Sequence, residues 1–275
     1  MTTAWDDRGR LQPKYREAML KSGPYEDVAR ALAGTPFATI EYVEETESTN
    51  ADAAALLDDE RAGGRTIVAE YQSRGAGRKG RTWLAPAGSA LLFTTILPRS
   101  VATDTLWAVP YWVALAVRTA LLDSGVTTTL QWPNDLLLGA EKLAGILCQS
   151  SVSGVHAWVA CGVGINVRRP GVELGIDPPP AFCDDVVAVE RGALLHGILR
   201  QYQRWLFMLD QPERVISEWD EAAQLPGKRY RIQHDGEAVP FDAVAQGLVP
   251  GGGLRVIRAN GTRETVSLAD ARVLR

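Results

Sequence analysis

The segment from Gln72 to Trp83 concentrates charge and backbone flexibility in a few residues. It reads Q-S-R-G-A-G-R-K-G-R-T-W, so that glycines alternate with the basic residues Arg74, Arg78, Lys79 and Arg81. Glycine lets a backbone approach a ligand closely, and guanidinium and backbone N–H groups bind phosphate or carboxylate oxygens. The chain as a whole carries a net charge of −4, so this cluster is a local feature. It indicates an anion site; a solvated basic loop is the alternative.

The glycines of this segment also satisfy the spacing of a dinucleotide-binding loop. Gly75, Gly77 and Gly80 follow an apolar run that is predicted as a strand. The dinucleotide pattern needs a helix that opens at the glycines. Here Pro86 and Gly88 follow, and then a β-branched, apolar run that predicts another strand. We therefore reject the dinucleotide interpretation.

Three further segments place reactive or polar side chains beside strands and turns. Trp132–Asp135 sets an amide and a carboxylate after a strand, where an Asx turn is an equally good interpretation. Lys142–Gly145 opens the next strand, and an exposed lysine at a strand end is ordinary. Gly162–Asn166 places two glycines and an amide in one strand, where the backbone can approach a ligand.

The elements that must position these residues alternate short strands with helices. Glu47–Asn50 precedes an Ala-rich stretch, and Thr49 with Asp52 fits a capping box at a helix start. Short connections between the middle strands predict antiparallel pairing. Helices are predicted at about 26–33, 51–61, 106–124, 186–210 and 212–223, and strands at 39–45, 66–72, 89–97, 127–132, 136–138, 142–150 and 155–167.

The composition changes at Leu225–Gly227. The last fifty or so residues alternate between apolar and polar side chains, with turns at 235–236, 250–253 and 260–261. Short strands at such spacing are typical of a small barrel. We therefore predict an N-terminal extension over 1–38, a catalytic domain over 39–224 and a C-terminal barrel over 225–275.

Composition excludes several classes of protein. The chain has 275 residues, is 46% hydrophobic and has a pI near 5.5, which argues against nonspecific nucleic-acid binding. The apolar segment 106–122 is interrupted by Pro110 and Arg118, so it predicts a buried helix and no membrane partner. The first twenty residues do not read as a signal peptide. Three cysteines and three histidines lack metal-site spacing, which suits a cytoplasmic protein.

Four segments, by their order and spacing, resemble those of biotin protein ligases: Glu47–Asn50, the Gln72–Trp83 loop, Trp132–Asp135 with Lys142–Gly145, and Gly162–Asn166. The resemblance covers residues 40–275. It implies an α+β fold of the class II aminoacyl-tRNA synthetase-like type, with a mixed, largely antiparallel sheet, helices on one face and a small SH3-like barrel. Residues 1–38 fall short of the winged-helix DNA-binding domain of some members, so the chain resembles the enzyme-only class.

The resemblance implies a two-step reaction. Biotin and ATP, with Mg²⁺, give biotinyl-AMP and pyrophosphate, and the biotinyl group then passes to a lysine of a biotin carboxyl carrier protein. No nucleic-acid partner is expected, and the enzyme is expected to be a monomer or a homodimer. The alternatives are a lipoate or octanoyl ligase of the same fold and a non-catalytic biotin sensor.

The resemblance also implies roles for individual residues. Lys142, Arg78 and Asp135 are expected to be catalytic, and Asp135 is a candidate Mg²⁺ contact. Biotin is expected to contact Ser48, Thr49, Gln72, Gly75, Arg78, Lys142, Gly145, Gly162 and Gly164. ATP and its phosphates are expected to contact Arg78, Lys79, Arg81, Trp83, Asn134 and Asn166.

Two positions depart from the family pattern. Ala76 stands where an arginine is usual, and Gln131 where a lysine is frequent. We expect Arg74 to replace part of the charge that is missing at Ala76, since two residues of extended chain span about 6–7 Å.

Overall fold

The computed structural model describes residues 22–268 and 271–274. The proposed N-terminal extension is therefore described only from residue 22. Residues 1–21 of that extension, and residues 269, 270 and 275 of the proposed barrel, lie outside the described residues.

A mixed eight-stranded sheet forms the centre of the molecule. Its strands are β1 (Ile40–Thr46), β2 (Thr66–Gln72), β3 (Ala90–Ile96), β4 (Val101–Ala102), β5 (Thr129–Gln131), β6 (Asp135–Leu138), β7 (Glu141–Ser153) and β8 (His156–Asn166). The order is β1-β2-β3-β8-β7-β6-β5, and β4 pairs with β8. Only the β1–β2 ladder is parallel among the described pairs of this sheet. The prediction of a mixed, largely antiparallel sheet is confirmed.

The helices cover both faces of this sheet. They are α1 (Glu26–Ala31), α2 (Thr49–Ala54), α3 (Val109–Asp123), α4 (Arg191–Trp205) and α5 (Pro212–Ala222). The main core packs α3, α4 and α5 against one face. The short α2 lies on the other face, over a second cluster that includes Ile67, Ile96 and Ala160. The expectation that helices cover one face is therefore corrected, because β2 and β3 are apolar on both faces and each face needs a cover.

The helix before the second strand begins differently from the predicted capping box. Ser48 occupies the N-cap with extended backbone and makes no side-chain capping bond. Thr49 instead hydrogen-bonds with Gln72, and the Asp52 carboxylate accepts a 2.7 Å hydrogen bond from the Thr46 hydroxyl. The predicted capping box is wrong because long-range partners outcompete the local ones.

The predicted central helix is confirmed as a core element. A turn of 3₁₀ helix at Thr103–Ala108 precedes α3, and Pro110 stands in the first turn of α3, where its missing N–H costs nothing. The segment Thr103–Asp123 is long and apolar enough to cross a membrane, but most of it is buried inside the protein. Burial of this kind is what the core helix of a globular domain requires.

A second, five-stranded antiparallel sheet follows the last helix. Its strands are β9 (Arg229–His234), β10 (Phe241–Leu248), β11 (Leu254–Arg258), β12 (Arg263–Val266) and β13 (Ala271–Leu274), in the order β12-β11-β10-β9-β13. The predicted C-terminal β-structure is confirmed, while the domain boundary near residue 225 stays a prediction.

Hydrogen bonds to the carbonyl of Gly252 hold the second sheet against the rest of the molecule. The Tyr111 hydroxyl on α3 donates a 2.6 Å hydrogen bond to this carbonyl, and the Trp132 indole donates one of 3.2 Å. The Lys228 ammonium donates to the carbonyl of Leu130 at 2.6 Å. Because Trp132 directly precedes the Pro-Asn-Asp turn, the second sheet is held beside the predicted site.

Candidate active site

A cavity of about 510 Å³ brings together almost every predicted site residue. It lies on the face of the large sheet that carries α2, under the Gln72–Trp83 segment. The predicted residues that line it are Ser48, Thr49, Gln72, Arg78, Lys79, Arg81, Trp83, Asn134, Asp135, Lys142, Gly145, Gly162, Gly164 and Asn166. Gly75 does not line the cavity.

A chain of uncharged hydrogen bonds occupies one end of the cavity. The Gln72 side-chain oxygen accepts from the backbone N–H of Thr49 at 2.7 Å and from its hydroxyl at 3.0 Å. The Thr49 and Thr94 hydroxyls are 2.8 Å apart, and Thr94 donates to the Asn50 side-chain oxygen at 2.6 Å. Asn50 in turn donates to the carbonyl of Leu147 at 2.9 Å. This network fixes the polar groups that face a ligand.

Sequence reasoning missed Asn50 and Thr94 in this network. Both are buried. The sequence signal for Thr94 is its position in a predicted buried strand that is apolar apart from Thr94 and Thr95, since buried polar groups need partners. Asn50 directly follows Thr49, which is a predicted biotin contact.

The glycines in β7 and β8 make room for side chains of the protein itself. A Cβ at Gly162 would overlap the amide of Asn50. A Cβ at Gly164 would lie 2.7 Å from the Trp83 indole, and one at Gly145 would lie 3.0 Å from both Trp83 and the Lys142 ammonium. The absence of a Cβ at these positions therefore leaves room for Asn50, Trp83 and Lys142, and contact of the three glycines with a ligand stays a prediction.

The Gly75–Trp83 segment is a loop whose base is closed by two backbone hydrogen bonds. Trp83 N–H donates to the carbonyl of Gly75, and Gly77 N–H donates to the carbonyl of Arg81, both at 2.7 Å. A Cβ at Gly75 would lie 2.5 Å from the Trp83 carbonyl oxygen, which explains this glycine without any ligand. A single 3₁₀ turn at Arg78–Gly80 stands where a dinucleotide fold would open a helix. The rejection of that fold agrees with this geometry.

Two cations of the loop contact the rest of the molecule. Arg78 donates to the carbonyl of Leu268 at 2.6 Å and reaches the Asn134 side-chain oxygen at 3.5 Å. Burial lowers the pKa of the Arg78 guanidinium from its usual value, although not enough to discharge it at neutral pH. Lys79 pairs with Asp235 of the second sheet at 2.5 Å. Arg81 is exposed at the rim of the cavity.

Lys142 and Asp135 form an ion pair in the cavity wall. The Lys142 ammonium lies 2.6 Å from the Asp135 Oδ1, and the two side chains are 24% and 13% exposed. The ammonium also lies 5.3 Å from the centre of the Trp83 ring. Lys142 is the second residue of β7, so it is fixed by the sheet and is not an exposed turn lysine. The pair is thus mostly withdrawn from water and lies in the cavity wall.

The side-chain amides of two asparagines donate hydrogen bonds within the protein. Asn134 donates to the carbonyl of Ile146 at 2.8 Å. Asn166 donates to the carbonyls of Lys142 at 3.3 Å and Ala181 at 3.1 Å. The side-chain oxygen of Asn166 is therefore the atom that is left to contact a nucleotide.

Arg74 does not take the place of the arginine that is missing at Ala76. Its side chain is 76% exposed and pairs with Glu47 at 3.2 Å, outside the cavity lining. Ala76 and Gln131 do line the cavity, and Gln131 pairs directly with Asp135 across β5 and β6.

The cavity wall also includes residues that the sequence did not single out. The Pro-rich connection after β8 contributes Ile176, Asp177, Pro178 and Pro180. Val273 and Leu274 of the last strand contribute from the second sheet. No local pattern marks these residues, because only the chain path brings them to the site.

The arrangement suits a ligand with an anionic end and an uncharged polar end. Arg78, Lys79, Arg81 and Lys142 supply positive charge at one side, and the Gln72–Thr49 network supplies neutral donors and acceptors at the other. A carboxylate brought to a phosphate needs this charge, since both reactants are anions.

The fold is shared with solved biotin protein ligases. The biotin protein ligase from Aquifex aeolicus, in complex with biotin and ATP, superposes with a TM-score of 0.68 at 21% identity, over 86% of this chain and 99% of that one. The Helicobacter pylori biotin acetyl coenzyme A carboxylase synthetase gives a TM-score of 0.56 at 22% identity, over 82% and 99% of the two chains.

Sequence comparison places the chain in a family. Residues 42–166 match the biotin/lipoate A/B protein ligase family. The biotin–[acetyl-CoA-carboxylase] ligase of Paracoccus denitrificans is 36% identical over 175 residues, which cover 60% of this chain and 72% of that protein. The ligase of the same name from Mycobacterium tuberculosis is 29% identical over 243 residues, or 84% and 85% of the two chains. This chain belongs to the biotin/lipoate A/B protein ligase family and is a ligase.

Proposed function

We propose that this ligase activates biotin with ATP and attaches it to a lysine of a biotin carboxyl carrier protein. The observation that carries the proposal is the cavity itself, in which the partly buried cations Arg78 and Lys142 line the same space as Trp83 and an uncharged hydrogen-bonding network. The names of the Paracoccus and Mycobacterium relatives, and the biotin and ATP in the Aquifex complex, support biotin as the acid.

In the first step, a carboxylate oxygen of biotin attacks the α-phosphorus of ATP, and pyrophosphate leaves. Lys142 and Arg78 stabilise the charge that gathers between the two anions, and Lys79 and Arg81 hold the outer phosphates. The Thr49, Gln72 and Ser48 groups bind the ureido ring. The loop excludes water, so the mixed anhydride survives until the carrier arrives.

In the second step, the ε-amine of the carrier lysine attacks the acyl carbon and AMP leaves. The amine must lose a proton, and Asp135, a carboxylate of the cavity lining, accepts it. Asp135 is held by Lys142, so its orientation is fixed before the carrier binds. No covalent enzyme intermediate is needed, because the anhydride is already activated.

Mg²⁺ fits this site only as a partner of the nucleotide. The described residues contain no group of three or more His, Cys, Asp or Glu that could hold a metal. The side-chain oxygens of Asp135 and Asn134 are hard donors, and Mg²⁺ is commonly bound by one carboxylate together with substrate phosphates. Bound there, the ion would neutralise phosphate charge.

The three free cysteines and the acidic pI support a cytoplasmic enzyme without a nucleic-acid partner. Transfer of labelled biotin to a purified carrier domain, with ATP and Mg²⁺, tests the function. A carrier whose acceptor lysine is changed to arginine must stay unlabelled.

Lipoate and octanoate are the competing substrates. ATP–pyrophosphate exchange with each acid in turn separates the alternatives. Exchange driven by biotin alone supports the proposal, while exchange driven by lipoate or octanoate overturns it. Biotin binding without exchange would identify a sensor.

A further inference from the structure

Two cysteines lie opposite each other on the central strands of the sheet. Cys148 of β7 pairs in register with Cys161 of β8. The neighbouring Cys148 thiol, together with burial, raises the pKa of the Cys161 thiol well above its usual value. Nothing in the proposed reaction uses either thiol.

The backbone geometry of this pair suits a covalent bond. Val159 accepts from Leu97, and Val167 donates to Ser89, so the odd-numbered residues of β8 turn their backbone groups toward β3. Because these groups alternate along a strand, Cys161 also faces β3, and it forms a non-hydrogen-bonded pair with Cys148. In such pairs the Cα atoms are about 4.5 Å apart, within the range of about 4.4–6.8 Å that disulfides span.

One of the thiols can be reached from outside. Cys148 is partly exposed, whereas Cys161 is fully buried against the core that includes Tyr202. The third cysteine, Cys183, is buried near the end of the Pro-rich connection and is not paired with either. An oxidant would therefore meet Cys148 first, with Cys161 positioned to react next.

We propose that Cys148 and Cys161 are a reversible oxidation site that closes to a disulfide between β7 and β8. With hydrogen peroxide, the Cys148 sulfur attacks an oxygen, the O–O bond breaks, and a sulfenic acid and water result. The Cys161 sulfur then attacks the Cys148 sulfur, the S–O bond breaks, and the thiol proton leaves with hydroxide as a second water. Two thiols are oxidised and one peroxide is reduced.

The disulfide would lie one residue from the floor of the cavity. Leu147 and Gly162 form the neighbouring pair on the opposite face, and Asn50 spans them: it donates to the Leu147 carbonyl and fills the space above Gly162. Closing the sulfurs to about 2.05 Å displaces the two strands at that point, because Cα atoms about 4.5 Å apart lie at the short end of the range that disulfides span. The oxidised ligase should therefore bind biotin several-fold more weakly. This effect on biotin binding rests on the proposed function, whereas formation of the disulfide does not depend on it.

The test begins with the whole, fully reduced chain treated with hydrogen peroxide or diamide. Free thiols are then alkylated with N-ethylmaleimide and the protein is analysed by intact mass and peptide mapping. We expect a loss of two hydrogens, one remaining alkylation site at Cys183, and one linked peptide pair that contains residues 148 and 161. Dithiothreitol should restore all three sites.

Variants separate this pair from other oxidation chemistry. Cys183→Ala should still form the link, whereas Cys148→Ser and Cys161→Ser should not. Oxygen addition at Cys148 without a link, or a link that involves Cys183 or a second molecule, would overturn the proposal. Wild-type peptide mapping decides the matter even if Cys161→Ser does not fold.

Biotin binding to the oxidised and reduced wild type, measured by calorimetry, tests the coupling. An unchanged Kd in the cross-linked protein would refute coupling to the cavity. Absence of biotin binding in the reduced protein would instead contradict the proposed function.

Discussion

The Lys142–Asp135 pair combines close contact with low exposure. At 2.6 Å, with both side chains mostly withdrawn from water, each charge depends on the other. The pair faces the cavity where the proposed chemistry joins two anions. The structure reveals this pairing. The sequence does not predict it, because a lysine at the end of a strand is ordinarily exposed.

Lys142→Ala should abolish most adenylate formation while leaving a folded protein. Loss of a positive charge beside the reacting phosphate is expected to cost about 3–4 kcal/mol of transition-state stabilisation, or a rate loss of several hundred-fold. ATP–pyrophosphate exchange measures it. Arg74→Ala is the matched control, because Arg74 is exposed and paired with Glu47; its exchange rate should stay near wild type. Near-normal exchange in folded Lys142→Ala would refute the assignment.

At the scale of single elements, the loop and the strands beneath it fit around Trp83. The indole lies against Gly145 and Gly164, and the Lys142 ammonium lies over the ring. The closed base of the loop fixes the tryptophan backbone. Trp83 thus joins the loop to the cavity floor.

Gly164→Ala should force the Trp83 indole to move. The new methyl group would lie 2.7 Å from the ring, and overpacking of this kind costs about 1–3 kcal/mol. A double-mutant cycle on urea unfolding tests the cause: in a Trp83→Ala background the cost should largely disappear. Gly171→Ala is the control, since its methyl group would meet nothing within 4 Å. An undiminished cost without the indole would exclude Trp83 as the obstacle.

Arg78→Gly should loosen the loop over the bound adenylate. The arginine ties the loop to the carbonyl of Leu268 and to Asn134, and glycine removes both contacts. Biotinyl-AMP should then escape and label lysines of a bystander protein, which a streptavidin blot detects. Arg74→Gly makes the same change at an exposed position and should label no more than wild type. Equal release by Arg78→Gly and wild type would rule out a lid role.

At the scale of the whole molecule, the second sheet is fastened to the helical face by a carboxylate. Asp220 of α5 accepts hydrogen bonds from the buried Leu248 N–H at 3.0 and 3.3 Å. Burial raises the pKa of the Asp220 carboxyl above its model-peptide value of 3.8. The native state therefore binds this proton more tightly than the unfolded chain does.

Asp220→Ala should lower the free energy of unfolding by about 1–3 kcal/mol, because it leaves the Leu248 N–H without its acceptor. Asp220→Asn keeps an acceptor and should be far milder. Asp242→Ala, at an exposed position of β10, should change stability by less than about 0.5 kcal/mol. Urea denaturation compares the three, and equal effects of alanine and asparagine would contradict the role of the bond.

The same carboxylate predicts a pH dependence. The pKa of Asp220 is higher in the folded state than in the unfolded chain. Ionisation of Asp220 therefore lowers the free energy of unfolding as pH rises from 3.8 through the folded pKa, and this penalty is complete above the folded pKa. Asp220→Asn lacks this penalty. Its stability relative to wild type should therefore increase across that window and then level off, as denaturation at a series of pH values would show.

Features that depend on local chemistry could be predicted from the sequence. Alternating apolar residues, turn glycines and prolines predicted most of the strands and helices, and the residues of the four matched segments form most of the cavity lining. These signals are local, because side-chain periodicity follows from the geometry of each element. The family resemblance rested on the same short segments.

The partners of those residues could not be predicted and became visible in the folded chain. Thr49 bonds with Gln72 in place of the predicted capping box, and Arg74 turns to Glu47 in place of the missing charge. The glycines of β8 accommodate Asn50 and Trp83, and the cysteines of β7 and β8 meet across one ladder. Each outcome depends on register and on chain segments far apart in sequence, and a pattern within one segment carries no information about either.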